Sequence, residues 1–221
     1  MSDNKHSSMK NPYHLTFGEE VGNSVSHGVM MFLLLFAMPF LAVHAYLQGG
    51  WLQTTGVSIY LICMIIMFGG SCLYHIMPYD TPWKYVFRKL DHIAILLAIA
   101  GTYTPICLTL VNNWAGWLVL AVEWIMVVCG VLLKSISSKS HPALSMTIYM
   151  TMGWLAILIL PVLIHDACWQ FLALIVAGGV FYTVGAVFYG RKKPYDHFIW
   201  HIAIILASLC HLAAITFFLH P

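Results

Sequence analysis

Three histidines and an aspartate stand at the same end of three different apolar stretches: His75, Asp91, and the pair His197 and His201. An i,i+4 histidine pair places two imidazoles on one face of a helix, roughly 6 Å apart along its axis. With a third imidazole from His75, the set suits a divalent transition metal, zinc first. Three protein ligands leave open the coordination position that a catalytic zinc keeps. Asp91 is placed to take a proton from water at such a centre. Ser71, one turn from His75 on the same helix face, is placed to hydrogen-bond that water or a substrate carbonyl.

Membrane-spanning helices must position these residues. Charged residues make up 8% of the 221-residue chain and apolar residues 61%, against roughly 25% charged in a soluble domain. Seven stretches reach the roughly 20 residues that cross a hydrocarbon core: 24–47, 52–75, 90–111, 114–134, 142–165, 169–190 and 198–219. The alternation of a membrane β-barrel is absent, so the reading is an all-α integral membrane protein, a bundle of seven transmembrane helices. Residues 1–19 read as a polar tail and 20–221 as one domain. The tail lacks an apolar core, so no cleavable signal is expected, and the first span serves as the insertion signal. All ten Lys and Arg residues fall in the tail or in alternate connections, on one side of the bundle. The positive-inside rule then predicts a cytoplasmic N-terminus, an external C-terminus and a histidine cluster on the cytoplasmic side of the cell membrane. The partners implied are the bilayer and a lipid substrate or ligand, with no nucleic acid.

Depth sorts the remaining polar residues. Glu20, Asn23, Ser24, Ser26 and His27 form a polar run at the same end, suited to orient the ligating imidazoles from outside. A solvated helix start accounts for His197 alone, but not for Ser71, His75, Asp91, His201, Glu20 and His27 converging at one depth. His92 is rotated about 100° from Asp91 and reads as a non-ligand. His44, His165, His211 and His220 sit in the outer half. The six cysteines lack CxxC spacing and read as small core residues, with Cys72 a minor alternative ligand. Glu123, mid-span in Leu-Ala-Val-Glu-Trp-Ile-Met, reads as a protonated carboxyl hydrogen-bonded within the bundle. Loop 76–89, holding Pro78, Pro82 and Trp83, reads as an interfacial turn.

Several motifs carry a family resemblance. The run Glu19-Glu20-Val-Gly-Asn23-Ser24-Val-Ser26-His27-Gly resembles the first-helix signature of bacterial haemolysin III proteins. Ser71-Cys-Leu-Tyr74-His75, Leu90-Asp91-His92, Gly101-Thr-Tyr103-Thr-Pro105 and His197-Phe-Ile-Trp200-His201 resemble that family's other motifs, in the same order. That family is grouped with the progestin and adiponectin receptors, seven-helix proteins related to alkaline ceramidases. The resemblance implies a zinc ion held by His75, His197 and His201, with Asp91 holding water and Ser71 nearby. Glu123 matches no motif of the family. Two functions follow: a zinc-dependent hydrolase of lipid amides or esters, or a membrane-homeostasis or receptor-like sensor in which zinc is structural. A secreted pore, which the family's name suggests, fits poorly with a chain this apolar.

Overall fold

The computed structural model describes residues 14–137, 141–191 and 193–219. Lys5, Lys10, Lys139, Lys192, His6 and His220 lie outside them. The described residues form helices and short connections only: α1 (Phe17–Ile76), α2 (Pro82–Thr109), α3 (Trp114–Ile136), α4 (Pro142–Trp154), α5 (Ala156–Asp166), α6 (Trp169–Arg191) and α7 (Asp196–Phe217). Among them, six helical runs are long and apolar enough to cross a membrane, α4 and α5 together making one.

The first run contains both of the first two expected stretches. Its backbone leaves helical geometry at Gly49 (φ −140°, ψ 18°) and Gly50 (φ 65°, ψ −154°). The left-handed φ at Gly50 is one that a residue with a Cβ adopts only under strain. The two arms fold back on each other. Beside the break Thr54 Oγ1 donates to the Ala42 carbonyl at 3.1 Å, and at the far end Ser24 Oγ donates to the Cys72 carbonyl at 3.3 Å. Lipid tails give apolar helices little reason to associate, so small residues at the contacts matter. Gly56 meets Pro105 of α2 so closely that a Cβ there would stand 2.7 Å from the proline Cα.

Local chemistry sets the helix ends. Thr16 and Glu19 make a capping box at the start of α1, and Asn113 accepts from the Ala115 and Gly116 amides at the start of α3. The expected turn over 76–89 is corrected: Thr81 caps Lys84 N, Pro82 takes the first helical position, and α2 begins there, eight residues before Leu90. Similarly, α1 begins at Phe17, inside the expected tail. The span 142–165 is interrupted at Leu155, and the Tyr103 hydroxyl stitches the break. It accepts from Ala156 N at 2.7 Å and donates toward the Met152 and Gly153 carbonyls at 3.0 and 2.9 Å.

One end of the bundle gathers the starts of α1, α2 and α7 with the end of α1. There the Tyr195 amide donates to Glu19 Oε1 at 2.8 Å and Lys84 Nζ to Glu20 Oε1 at 2.7 Å. At the opposite end Gln53, beside the break in α1, reaches the Leu219 carbonyl after α7 at 3.1 Å. Trp51, Trp114 and Trp169 are exposed at that second end, as an aromatic belt requires.

Candidate metal centre

His75 ends the second arm of α1, while His197 and His201 occupy the first two turns of α7, and the packing of α7 on α1 brings all three together. One ligand atom from each lies within 4.8 Å of the others. The Nε2 atoms of His197 and His201 face each other at 3.2 Å. Two nitrogens sharing a tetrahedral zinc, at bonds of about 2.0–2.1 Å, stand roughly 3.3 Å apart. His75 Nδ1 meets Glu20 Oε2 at 2.5 Å, which leaves Nε2 as the ring's remaining ligand atom. That Nε2 is buried and has no partner among the described residues. Three convergent imidazoles, two of them with a buried nitrogen that has no partner among the described residues (His75 Nε2 and His201 Nδ1), fit a divalent transition metal.

Glu20 is held in turn. Lys84, 1% exposed, donates to Glu20 Oε1 and to the Tyr74 carbonyl at 3.1 Å, and its ammonium lies over the Tyr74 and Tyr79 rings. Tyr79, in the connection between α1 and α2, accepts from the Leu15 amide and donates to Glu20. Burial, and next the bond to Glu20, push its phenol well above the ordinary tyrosine range, so it stays a donor. The carboxylate therefore orients the His75 ring, as a carboxylate behind a metal-ligating histidine does. The polar run on the first arm also faces inward. His27 Nε2 donates to the His201 carbonyl at 3.4 Å with the two rings 4.1 Å apart, and Asn23 is fully buried.

Ser71 is buried and lies beside Asp91. Both line a cavity of about 120 Å³ together with His197, His201 and His27. Gly70 packs against α2 at Asp91, whose Cα a Cβ there would meet at an ordinary contact distance of 3.9 Å. Asp91 is not among the residues whose ligand atoms converge, and neither is Cys72, whose thiol turns toward Ser24 and Gly28. His92 binds the Arg88 carbonyl through Nδ1 at 2.6 Å and lines the same cavity without joining the triad. Glu123 is fully buried, but neither carboxyl oxygen has a partner among the described residues, contrary to the expected hydrogen bond. Its polar neighbours are engaged elsewhere: Trp124 Nε1 with Thr104, and Tyr103 at the α4–α5 break.

The profile of the haemolysin-III related family matches residues 15–212, and so includes every residue of this site. The chain belongs to the haemolysin III family. It is 32% identical to a protein named Hemolysin-3 from Bacillus cereus, over 92% of this chain and 93% of that one. It is 30% identical to a Hemolysin-3 homolog of Bacillus subtilis, over 92% and 95%. A human protein, the Monocyte to macrophage differentiation factor, is 23% identical over 94% of this chain and 87% of its own length. With its six apolar runs, this haemolysin III family member is a multi-pass membrane protein.

Lys84 escaped the sequence reading. A lysine in an expected loop counts only toward topology, and its burial became visible once Thr81-Pro82 was seen to start a helix that aims it at Glu20.

Proposed function

We propose that this protein is a zinc-dependent hydrolase of lipid amide or ester bonds in the cell membrane, with His75, His197 and His201 as the zinc ligands and Asp91 and Ser71 as the catalytic pair. In this reading each arm of α1 crosses the membrane, giving seven crossings, an N-terminal tail (1–19) and one domain (20–221). The distribution of basic residues supports a cytoplasmic N-terminus and site, with the C-terminus outside.

The observation that carries the reading is a pair of neighbouring cavities with common lining residues. The smaller one, lined by Ser71, Asp91 and the α7 histidines, shares walls at Met67, Tyr149 and Trp200 with an apolar cavity of about 300 Å³. Several residues lining the larger cavity, Trp154, Ile157, Val176 and Val180, are also exposed on the flank of the bundle, so the chamber opens between α5 and α6 toward lipid. An acyl chain can enter sideways and bring its polar linkage to the histidines.

The chain's own residues then divide the work. Glu20, clamped by Lys84, holds His75 in the tautomer that turns Nε2 inward. Asp91, which lines the same cavity as Ser71, accepts the proton of the attacking water. Ser71 and Tyr74 are the donors available to charge developing on the substrate carbonyl oxygen. Zinc, when bound, supplies Lewis acidity that polarises the carbonyl and acidifies water.

Purified protein assayed on a panel of lipid amides and esters tests the proposal: wild type hydrolyses at least one, and Asp91→Ala abolishes the activity while keeping its zinc. A zinc-replete wild type inert on the whole panel would leave the alternative, a receptor-like or homeostatic protein with structural zinc. The deep burial of the His75–Glu20–Lys84 network favours that alternative if hydrolysis fails.

A further inference from the structure

The start of α7 has no side-chain cap. Its N-cap residue, Tyr195, makes no side-chain hydrogen bond to the first turn. Asp196 turns back instead, its Oδ2 accepting from the Lys193 amide at 2.9 Å and standing 3.4 Å from Arg191 Nε. Tyr195 also has φ 64° and ψ −3°, the left-handed region that residues with a Cβ rarely enter. An aromatic residue keeps that geometry only where its surroundings fix it. The ring is 55% exposed, so packing of the side chain does little to fix it. The backbone is held more firmly: the Tyr195 amide donates to Glu19 Oε1 at 2.8 Å, across 176 residues of chain.

Glu19 is itself fixed. It is buried, and its other oxygen accepts from the Thr16 amide at 3.0 Å and from the Thr16 hydroxyl at 2.8 Å. A carboxylate anchored on one side and bonded to an amide on the other makes a charge-assisted clamp. It also sets negative charge at the N-terminus of α7, where unpaired amides and the helix dipole favour it. From this contact onward α1 seats α7. One turn along, Gly22 meets the Phe198 ring, and a Cβ there would stand 2.9 Å from its Cε2. Further along, His27 Nε2 reaches the His201 carbonyl. His197 lies between these contacts, two residues beyond the clamped Tyr195.

We infer that Glu19 is a positioning residue for the metal centre: by clamping Tyr195 it sets how α7 begins, and so brings His197 to the ion position shared with His75 and His201. The inference rests on the zinc reading of the triad. Two successive carboxylates of α1 then divide the task, Glu20 steering the His75 ring and Glu19 the helix that bears the other two ligands.

The test is a mutant cycle on the full-length protein with two readouts: zinc affinity in competition with a chelator, and amide hydrogen exchange across residues 194–201. Glu19→Ala is expected to weaken zinc binding about tenfold and to speed exchange in the first turn of α7. Tyr195→Gly enters the left-handed region without strain, so the geometry no longer needs holding. In that background Glu19→Ala is expected to cost zinc binding less than about threefold. Thr16→Ala removes a partner of the other carboxylate oxygen and is expected to leave both readouts as in wild type. That control separates a clamp on α7 from a cap on α1. Wild-type zinc affinity in Glu19→Ala overturns the inference and leaves the zinc reading standing. A loss that is equal with Tyr195→Gly, or that Thr16→Ala reproduces, overturns it too. Wild type without zinc defeats the zinc reading and the positioning role with it, while faster exchange in Glu19→Ala would still establish the clamp. If Glu19→Ala does not fold, Glu19→Gln replaces it in the cycle, since it keeps the volume but offers one oxygen to both sets of donors.

Discussion

Glu20 is the residue on which the site's geometry turns, since one carboxylate oxygen meets His75 and the other meets Lys84. Removing the ammonium leaves a buried carboxylate free to rotate or to pick up a proton, and the imidazole loses its fixed orientation. Lys84→Met is therefore expected to weaken zinc binding by about 10–100-fold in competition with a chelator. Unchanged affinity would mean that packing alone holds the ring. Glu123 invites the opposite expectation. A carboxylate without partners in mid-bundle carries its proton, and Glu123→Gln preserves shape and neutrality. Thermal unfolding in detergent should show a change of less than about 1 kcal/mol, whereas a loss of several would reveal a charged, paired group. The convergence of the three histidines, and the position of Ser71 and Asp91 beside them, were legible because depth follows from counting residues along a helix. Lys84 and the contact of Glu19 with the Tyr195 amide were not, since which way a buried polar atom faces depends on neighbouring helices that the chain order does not reveal.

At the scale of helices, the apolar stretches were legible to within a few residues except at the starts of α1 and α2, which lie seven and eight residues earlier than expected, because a run long enough to cross lipid leaves little freedom in where it ends. The exceptions are local. Thr81 and Pro82 carried α2 back through an expected loop, and the interruption at Leu155 left no signal beyond a polar partner, Tyr103, about a quarter of the chain away. That partner predicts a cost. Tyr103→Phe removes the group that serves Ala156 N and the Met152 and Gly153 carbonyls, leaving polar atoms unpaired in the bundle. The expected destabilisation is about 1–3 kcal/mol by unfolding in detergent. A variant as stable as wild type would show that the break is satisfied without the hydroxyl. Gly56 predicts a steric cost instead. A methyl 2.7 Å from the Pro105 Cα must push α1 and α2 apart, for about 1–3 kcal/mol in Gly56→Ala.

The whole molecule joins an asymmetry of charge to an asymmetry of chemistry. In the described residues Lys84, Arg88, Lys89, Lys134, Arg191 and Lys193 all lie near the helix ends that hold the histidines. If each arm of α1 crosses once, a reporter after residue 219 works only when it folds outside the cytoplasm, and one inserted between Pro78 and Thr81 only when it folds inside. Both reporters active in the same compartment would refute seven crossings. The claim on which everything else depends is that His75, His197 and His201 hold zinc. Metal analysis of protein purified gently and without chelators tests it most directly. Wild type and Asp91→Ala are predicted to carry about one zinc per chain, and His75→Ala and His201→Ala far less. Wild type without zinc, or the histidine variants retaining it in full, would contradict the account.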